Sequence, residues 1–142
     1  MESAVEQAPF RTRVRYAECN AHGELPLATY VNYFREAAAR ALQAVGADLQ
    51  DLTSKGGVLR EGGVSVDVHQ SPAYDDEVRV EVGLESLGGS DFTLRLELRR
   101  TGRTDPLALG SIRFVARGPV AGTRHGLPPE LSSALRRIGR LP

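Results

Sequence analysis

Between residues 18 and 24 the chain reads ECNAHGE, which gathers a thiol, an amide, an imidazole and two carboxylates. His22 carries an imidazole, which can serve as a general base. Glu24 offers a carboxylate just ahead of a helical pattern. Asn20 cannot take up a proton near neutral pH, but its amide can hold a water or polarise a carbonyl. Each has a plainer reading beside the chemical one. Asparagine is common where strands end in turns, a loop histidine is often solvated, and an acidic residue before a helix complements its dipole. No Cys–His pairing surrounds Cys19, the only cysteine, so it reads as a small buried residue.

Other candidates lie further along. Glu36 falls inside the helical pattern and Glu61 at the start of a strand. A solvated or subunit-facing position competes with a site role for each. Asp67 and His69 share one strand face and read as a local polar pair. Asp75 and Asp76 form a turn, and the run ALRRIGR reads as a solvated helix face.

The elements that must position these groups follow from periodicity. Phe10, Thr12, Val14 and Tyr16 alternate, which predicts a strand to about Glu18. Gly23 supplies the turn. Pro26 suits a first helical turn. Leu27, Tyr30, Val31, Phe34, Ala38, Ala41, Leu42 and Val45 then recur in steps of three and four, which predicts one long helix with a single inward stripe. Leu27, Tyr30, Val31 and Phe34 are expected to face a sheet. Gly46 stops the helix, and ADLQDL adds a short turn. Alternation returns in GVLREGGVSVDVHQ, VRVEVGLESL, DFTLRLELRR and LALGSIRFVAR. Short loops join the last three as an antiparallel meander, with arginine and glutamate on a solvated face. GLPPELSSALRRIGRLP holds a short helix with Leu131, Leu135 and Ile138 on one side. Strand, long helix and four strands make an α+β layer fold. The expected architecture is a hotdog: one long central helix wrapped by a curved antiparallel five-stranded sheet.

Length and composition set bounds. The 142 residues fit a single domain over 1–142, with 1–8 as a flexible tail. Lys+Arg and Asp+Glu both total 18. This balance points away from nucleic acid and membrane surfaces. One cysteine excludes an internal disulfide and suits a reducing, cytoplasmic interior. Neither a signal peptide nor a membrane-spanning run is expected.

The stretch RVRYAECNAHGELPLATYVNYFREAAARALQAVG resembles the amino-terminal signature of hotdog acyl-CoA thioesterases of the 4-hydroxybenzoyl-CoA thioesterase type. Tyr16, the triplet ECN, Gly23 and Tyr30 carry the likeness. SPAYDDEVRV and GLPPEL resemble that family's inter-strand turn and tail, so the resemblance runs from about Phe10 to Leu131. It implies hydrolysis of an acyl-CoA or acyl-carrier-protein thioester, without metal or other cofactor, at a site shared between subunits of a homodimer or homotetramer. It places the acyl carbonyl at the amino end of the long helix, where free N–H groups favour an oxyanion.

Asn20 stands where such proteins usually carry a catalytic aspartate. Pro26 stands where a backbone N–H usually helps form the oxyanion hole, and proline has none. The resemblance therefore assigns catalysis to Asn20 with Glu24 and His22, and the oxyanion to the N–H groups of Leu27 and Ala28. It assigns the pocket to Tyr16, Tyr30, Glu36 and Glu61, and CoA contact to Ser90. The two departures keep open a catalytically weak or inactive hotdog module that binds an acyl-CoA or acyl-carrier ligand. A hotdog dehydratase fits less well, because no histidine precedes a proline-glycine loop.

Overall fold

The computed structural model describes residues 10–47, 57–118 and 125–142. Five strands, β1 (Phe10–Arg13), β2 (Val58–Val68), β3 (Glu77–Leu87), β4 (Asp91–Arg100) and β5 (Pro106–Arg117), form one antiparallel sheet. Their order is β1-β3-β4-β5-β2. The long helix α1 (Leu27–Ala44) lies against the concave face, and a short helix α2 (Pro129–Arg136) follows β5. The predicted turn in ADLQDL falls outside the described residues.

Alternation explains the sheet's two faces. Val78, Val80 and Val82 of β3, Phe92, Leu94, Leu96 and Leu98 of β4, and Ala108, Ile112 and Phe114 of β5 are buried beneath α1. The opposite face of β3 and β4 carries linked charges. Glu97 is only 7 % exposed because Arg99 and Arg95 lie at 2.7 and 3.9 Å. Breaks of register between Glu61 and Gly63, Leu84 and Ser86, and Leu98 and Arg99 add the bends that curl the sheet.

The helix buries Tyr30, Tyr33, Phe34, Ala37, Ala38, Ala41 and Leu42. Three alanines in this stripe let the sheet approach the middle of the helix. Helix and sheet meet tightly at Gly110 of β5, where a Cβ would collide with the Phe34 ring and the Ser65 carbonyl. Two inward positions expected from the pattern differ. Leu27 is 61 % exposed and Val31 is half-buried. The first turn of α1 sits at the rim, beyond the sheet's cover. Tyr33 and Ala37 take those buried places.

The first strand is also shorter than the alternation predicts. It ends at Arg13, and Tyr16–Glu18 forms a single 3-10 turn. Tyr16 is therefore 79 % exposed, packed edge-on against Tyr74. Gly46 has φ 69° and ends α1 as expected.

The sheet's two edges differ. Beyond β1, the Leu84 N–H of β3 donates to the Gly139 carbonyl at 2.6 Å, so the tail after α2 covers that edge. Leu131, Leu135 and Ile138 are buried there. No described strand pairs with the outer edge of β2. Its Val64 and Val68 stay 42 % and 40 % exposed, although they lie opposite the inward-facing Ile112 and Ala108. No described helix is long and apolar enough to cross a membrane.

Candidate active site at the amino end of the long helix

The chain enters α1 through a turn that Asn20 organises. The Asn20 Oδ1 accepts the N–H groups of His22 at 2.9 Å and Glu24 at 3.1 Å. The Asn20 N–H donates to the Glu24 carbonyl at 2.8 Å, and the Gly23 N–H donates to the Asn20 carbonyl at 3.0 Å. Gly23 takes φ 77°, the left-handed value that makes glycine the suitable residue. Leu25 donates its N–H to the Ser71 Oγ at 3.1 Å, so the loop between β2 and β3 also holds this entry. Every amide from His22 to Leu25 is thus satisfied.

Pro26 follows in an extended conformation as the residue that caps α1. Its carbonyl accepts the Thr29 N–H at 2.9 Å. The N–H groups of Leu27 and Ala28 have no acceptor among the described residues. The first turn of α1 holds no acidic residue, so no side chain of that turn neutralises the positive end of the helix. Two adjacent free donors at the helix start can receive a developing negative oxygen.

Asn20 leaves the two hydrogens of Nδ2 without a partner among the described residues. The assignment follows from its neighbours, because both contacts to the other amide atom come from N–H donors. What this side chain can offer a ligand is therefore a donor. His22 and Glu24 are exposed in the same turn.

Beneath the turn, Tyr33 donates its hydroxyl to the Glu18 Oε1 at 2.9 Å, and the Arg15 N–H donates to the same oxygen at 2.8 Å. Burial pushes the Tyr33 phenol up, and the Glu18 carboxylate adds to the rise. Tyr30 is 1 % exposed, and its hydroxyl has no hydrogen-bond partner among the described residues. Burial raises its phenol; Ser71 nearby lowers it, though outside bonding geometry, and the Glu24 charge raises it.

Two hollows flank α1. One, of about 610 Å³, opens at the helix start and is lined by Glu18, Cys19, Pro26, Thr29, Asn32 and Glu36, among others. The other is a groove of about 970 Å³ between α1 and β2, which Glu36 and Glu61 both line. Arg35 and Glu61 meet across it at 2.7 Å. Glu61 is thus an ion-paired wall residue as well as an edge residue. Ser90 lines a separate hollow of about 370 Å³ with Arg113 and Arg117. Arg113 is engaged by Asp91 at 3.2 Å.

The structure therefore brings Asn20, His22 and Glu24 together ahead of Leu27 and Ala28. It sets Glu36 and Glu61 on one groove and Ser90 elsewhere. The exposed Tyr16 and the fully buried Tyr30 are not among the described residues that line these three hollows. The side chains that periodicity does not reveal are Ser71, which acts across 46 positions of sequence, and the Glu18–Tyr33 pair. Glu18 was visible as the one acid of ECN. His69 and Asp67 pair at 3.2 Å on exposed β2 and the turn after it. Among the described residues, no three His, Cys, Asp or Glu side chains converge as metal ligands.

No protein-family model and no curated protein sequence matches the chain. Its structure matches many solved ones. A 1,4-dihydroxy-2-naphthoyl-CoA thioesterase from Synechocystis superposes with TM-score 0.80 at 18 % identity, over 89 % of this chain and 93 % of that one. The dynemicin thioesterase gives 0.80 at 21 % identity, over 94 % and 98 %. The probable thioesterase YbaW from Escherichia coli gives 0.79 at 17 % identity, over 93 % and 98 %. The curled five-stranded sheet around one long helix is the hotdog fold, shared with these thioesterases.

Proposed function

We propose that this chain hydrolyses an acyl thioester at the amino end of α1. The observation that carries the reading is the pair of free N–H groups at Leu27 and Ala28, at the helix start that follows the Asn20 turn. Water attacks the thioester carbon, and the carbonyl oxygen takes the charge against those two donors. Asn20 directs its Nδ2 hydrogens to the carbonyl or to the water. His22 or Glu24 in the turn, or Glu36 in the adjoining hollow, accepts the proton of the attacking water. The intermediate collapses by breaking the C–S bond. The thiolate takes that proton, leaving a carboxylic acid and a thiol. The neighbours named for CoA thioesters support CoA as the thiol, with a carrier-protein phosphopantetheine as the other form. The arginines beside Ser90 suit its phosphates.

The unpaired edge of β2 and its exposed valines support a homodimer, with the site near the junction. Cys19 as sole cysteine suits a cytoplasmic setting.

One observation favours a second reading, a module that binds the thioester without turnover. Asn20 spends its acceptor on the loop and cannot act as a base. Thiol release from a panel of acyl-CoAs separates the two. Hydrolysis above buffer is expected for wild type. Asn20→Asp should raise it, toward the roughly 10²–10⁴ that a positioned base supplies, and Asn20→Ala should lower it. Equal rates for all three variants remove Asn20 from the chemistry. No release by any, with acyl-CoA still bound, establishes the module.

A further inference from the structure

The groove between α1 and β2 differs from the helix start in chemistry. Its floor is apolar, built by Leu42, Leu59, Ala47 and Phe114. Phe114 is stacked on Phe92, with ring centroids 5.0 Å apart. Among the described residues, the floor offers no side chain able to hydrogen-bond. The polar groups stand on the walls, and the two strongest, Arg35 and Glu61, are already joined to each other. At about 1.5 Å per residue, the helix wall from Asn32 to Gln43 runs roughly 16 Å. The groove adjoins the hollow at the helix start, because Asn32 and Glu36 line both.

We propose that this groove receives the acyl part of the thioester, and that its preferred occupant is a linear aliphatic chain. The assignment rests on the thioesterase reading of the helix start. A long trough with an apolar floor, joined through Asn32 and Glu36 to the hollow at the helix start, fits an extended chain along its length. A ring bearing hydroxyl groups would bury them against a floor that cannot pair them, which is costly. Arg35 and Glu61 join the two walls and keep the protein surface polar above a chain lying beneath. A second copy of this protein would need a narrow protruding element to fill the same trough.

The test uses butanoyl-, lauroyl- and benzoyl-CoA, each below its micelle concentration, with thiol release and calorimetric binding measured in parallel. Each added methylene that is buried should raise kcat/KM about fourfold. The expected preference for lauroyl over butanoyl is therefore at least about a hundredfold. Ala39→Phe places a ring in the groove from an exposed helix position and should reduce that preference at least about tenfold.

Turnover with a flat chain-length profile, or with benzoyl preferred, overturns the groove assignment and leaves hydrolysis standing. Absence of turnover with lauroyl-CoA bound far more tightly than butanoyl-CoA, and weakened by Ala39→Phe, removes the hydrolase and keeps the groove. Equal binding of the two overturns it. If Ala39→Phe changes the mass by light scattering while the lauroyl preference persists, the groove belongs to a second copy and the proposal falls.

Discussion

Asn20 and Glu24 clasp each other across the turn that feeds α1. The Asn20 N–H donates to the Glu24 carbonyl at 2.8 Å, and the Asn20 Oδ1 accepts the Glu24 N–H at 3.1 Å. The side chain therefore has a structural task whatever its chemistry. Asn20→Asp keeps an acceptor for both loop N–H groups and should leave stability within about 0.5 kcal/mol. Asn20→Ala removes two exposed hydrogen bonds and should cost about 1–2 kcal/mol. Urea denaturation of the three proteins checks this. An unchanged midpoint for Asn20→Ala would show that the turn holds itself.

Phe34 is fully buried against the Gly110 backbone. Phe34→Ala should cost about 3–5 kcal/mol. Gly110→Ala should also destabilise, by about 1–3 kcal/mol, because the new methyl meets the ring and the Ser65 carbonyl. A neutral Gly110→Ala by thermal unfolding would mean that the helix stands further from the sheet.

Tyr33 holds Glu18 at 2.9 Å, with the carboxylate only 15 % exposed. Tyr33→Phe keeps the ring and deletes the donor. A hydrogen bond to a charged group contributes about 1.5–3 kcal/mol, and a loss of that size is expected in chemical denaturation at pH 7. Glu18→Gln in the Tyr33→Phe background should then cost less than Glu18→Gln alone.

Asp76 gives the protein an acid-sensitive contact. Burial alone would raise its carboxyl, but the Ala73 N–H and the Arg100 guanidinium outweigh this and hold it below its ordinary value. The folded state therefore binds the proton less readily than the unfolded chain. The contribution is fully present above about pH 4, the ordinary aspartate value. It is lost as pH falls through the lower folded value. Asp76→Asn should flatten the acid limb of the stability–pH curve. A limb of unchanged steepness would assign acid sensitivity to other carboxylates.

The bare β2 edge predicts self-association. Light scattering at micromolar concentration should return at least twice the mass of the chain. A monomer mass would end the shared-site arrangement and leave Val64 and Val68 as solvated surface.

Local pattern alone determined the long helix and the strands β2 to β5. Alternation in β2 to β5 and the spacing from Tyr30 to Leu42 are short-range consequences of strand and helix geometry. Gly23 and Gly46 marked the turns, because their positive φ is a local demand. The candidate chemistry in ECNAHGE was legible for the same reason, since those residues are neighbours in sequence. What each faces was not. Leu27 and Tyr16 continue apolar patterns past the point where the sheet can cover them, and only the packed structure locates that rim. Ser71 reaches Leu25, and Arg35 meets Glu61, through the fold alone. The register break at Glu61 and Gly63 depends on pairing with β5. Periodicity records which side of an element is apolar; burial, ion pairing and grooves are properties of two elements at once, and those the tertiary structure decided.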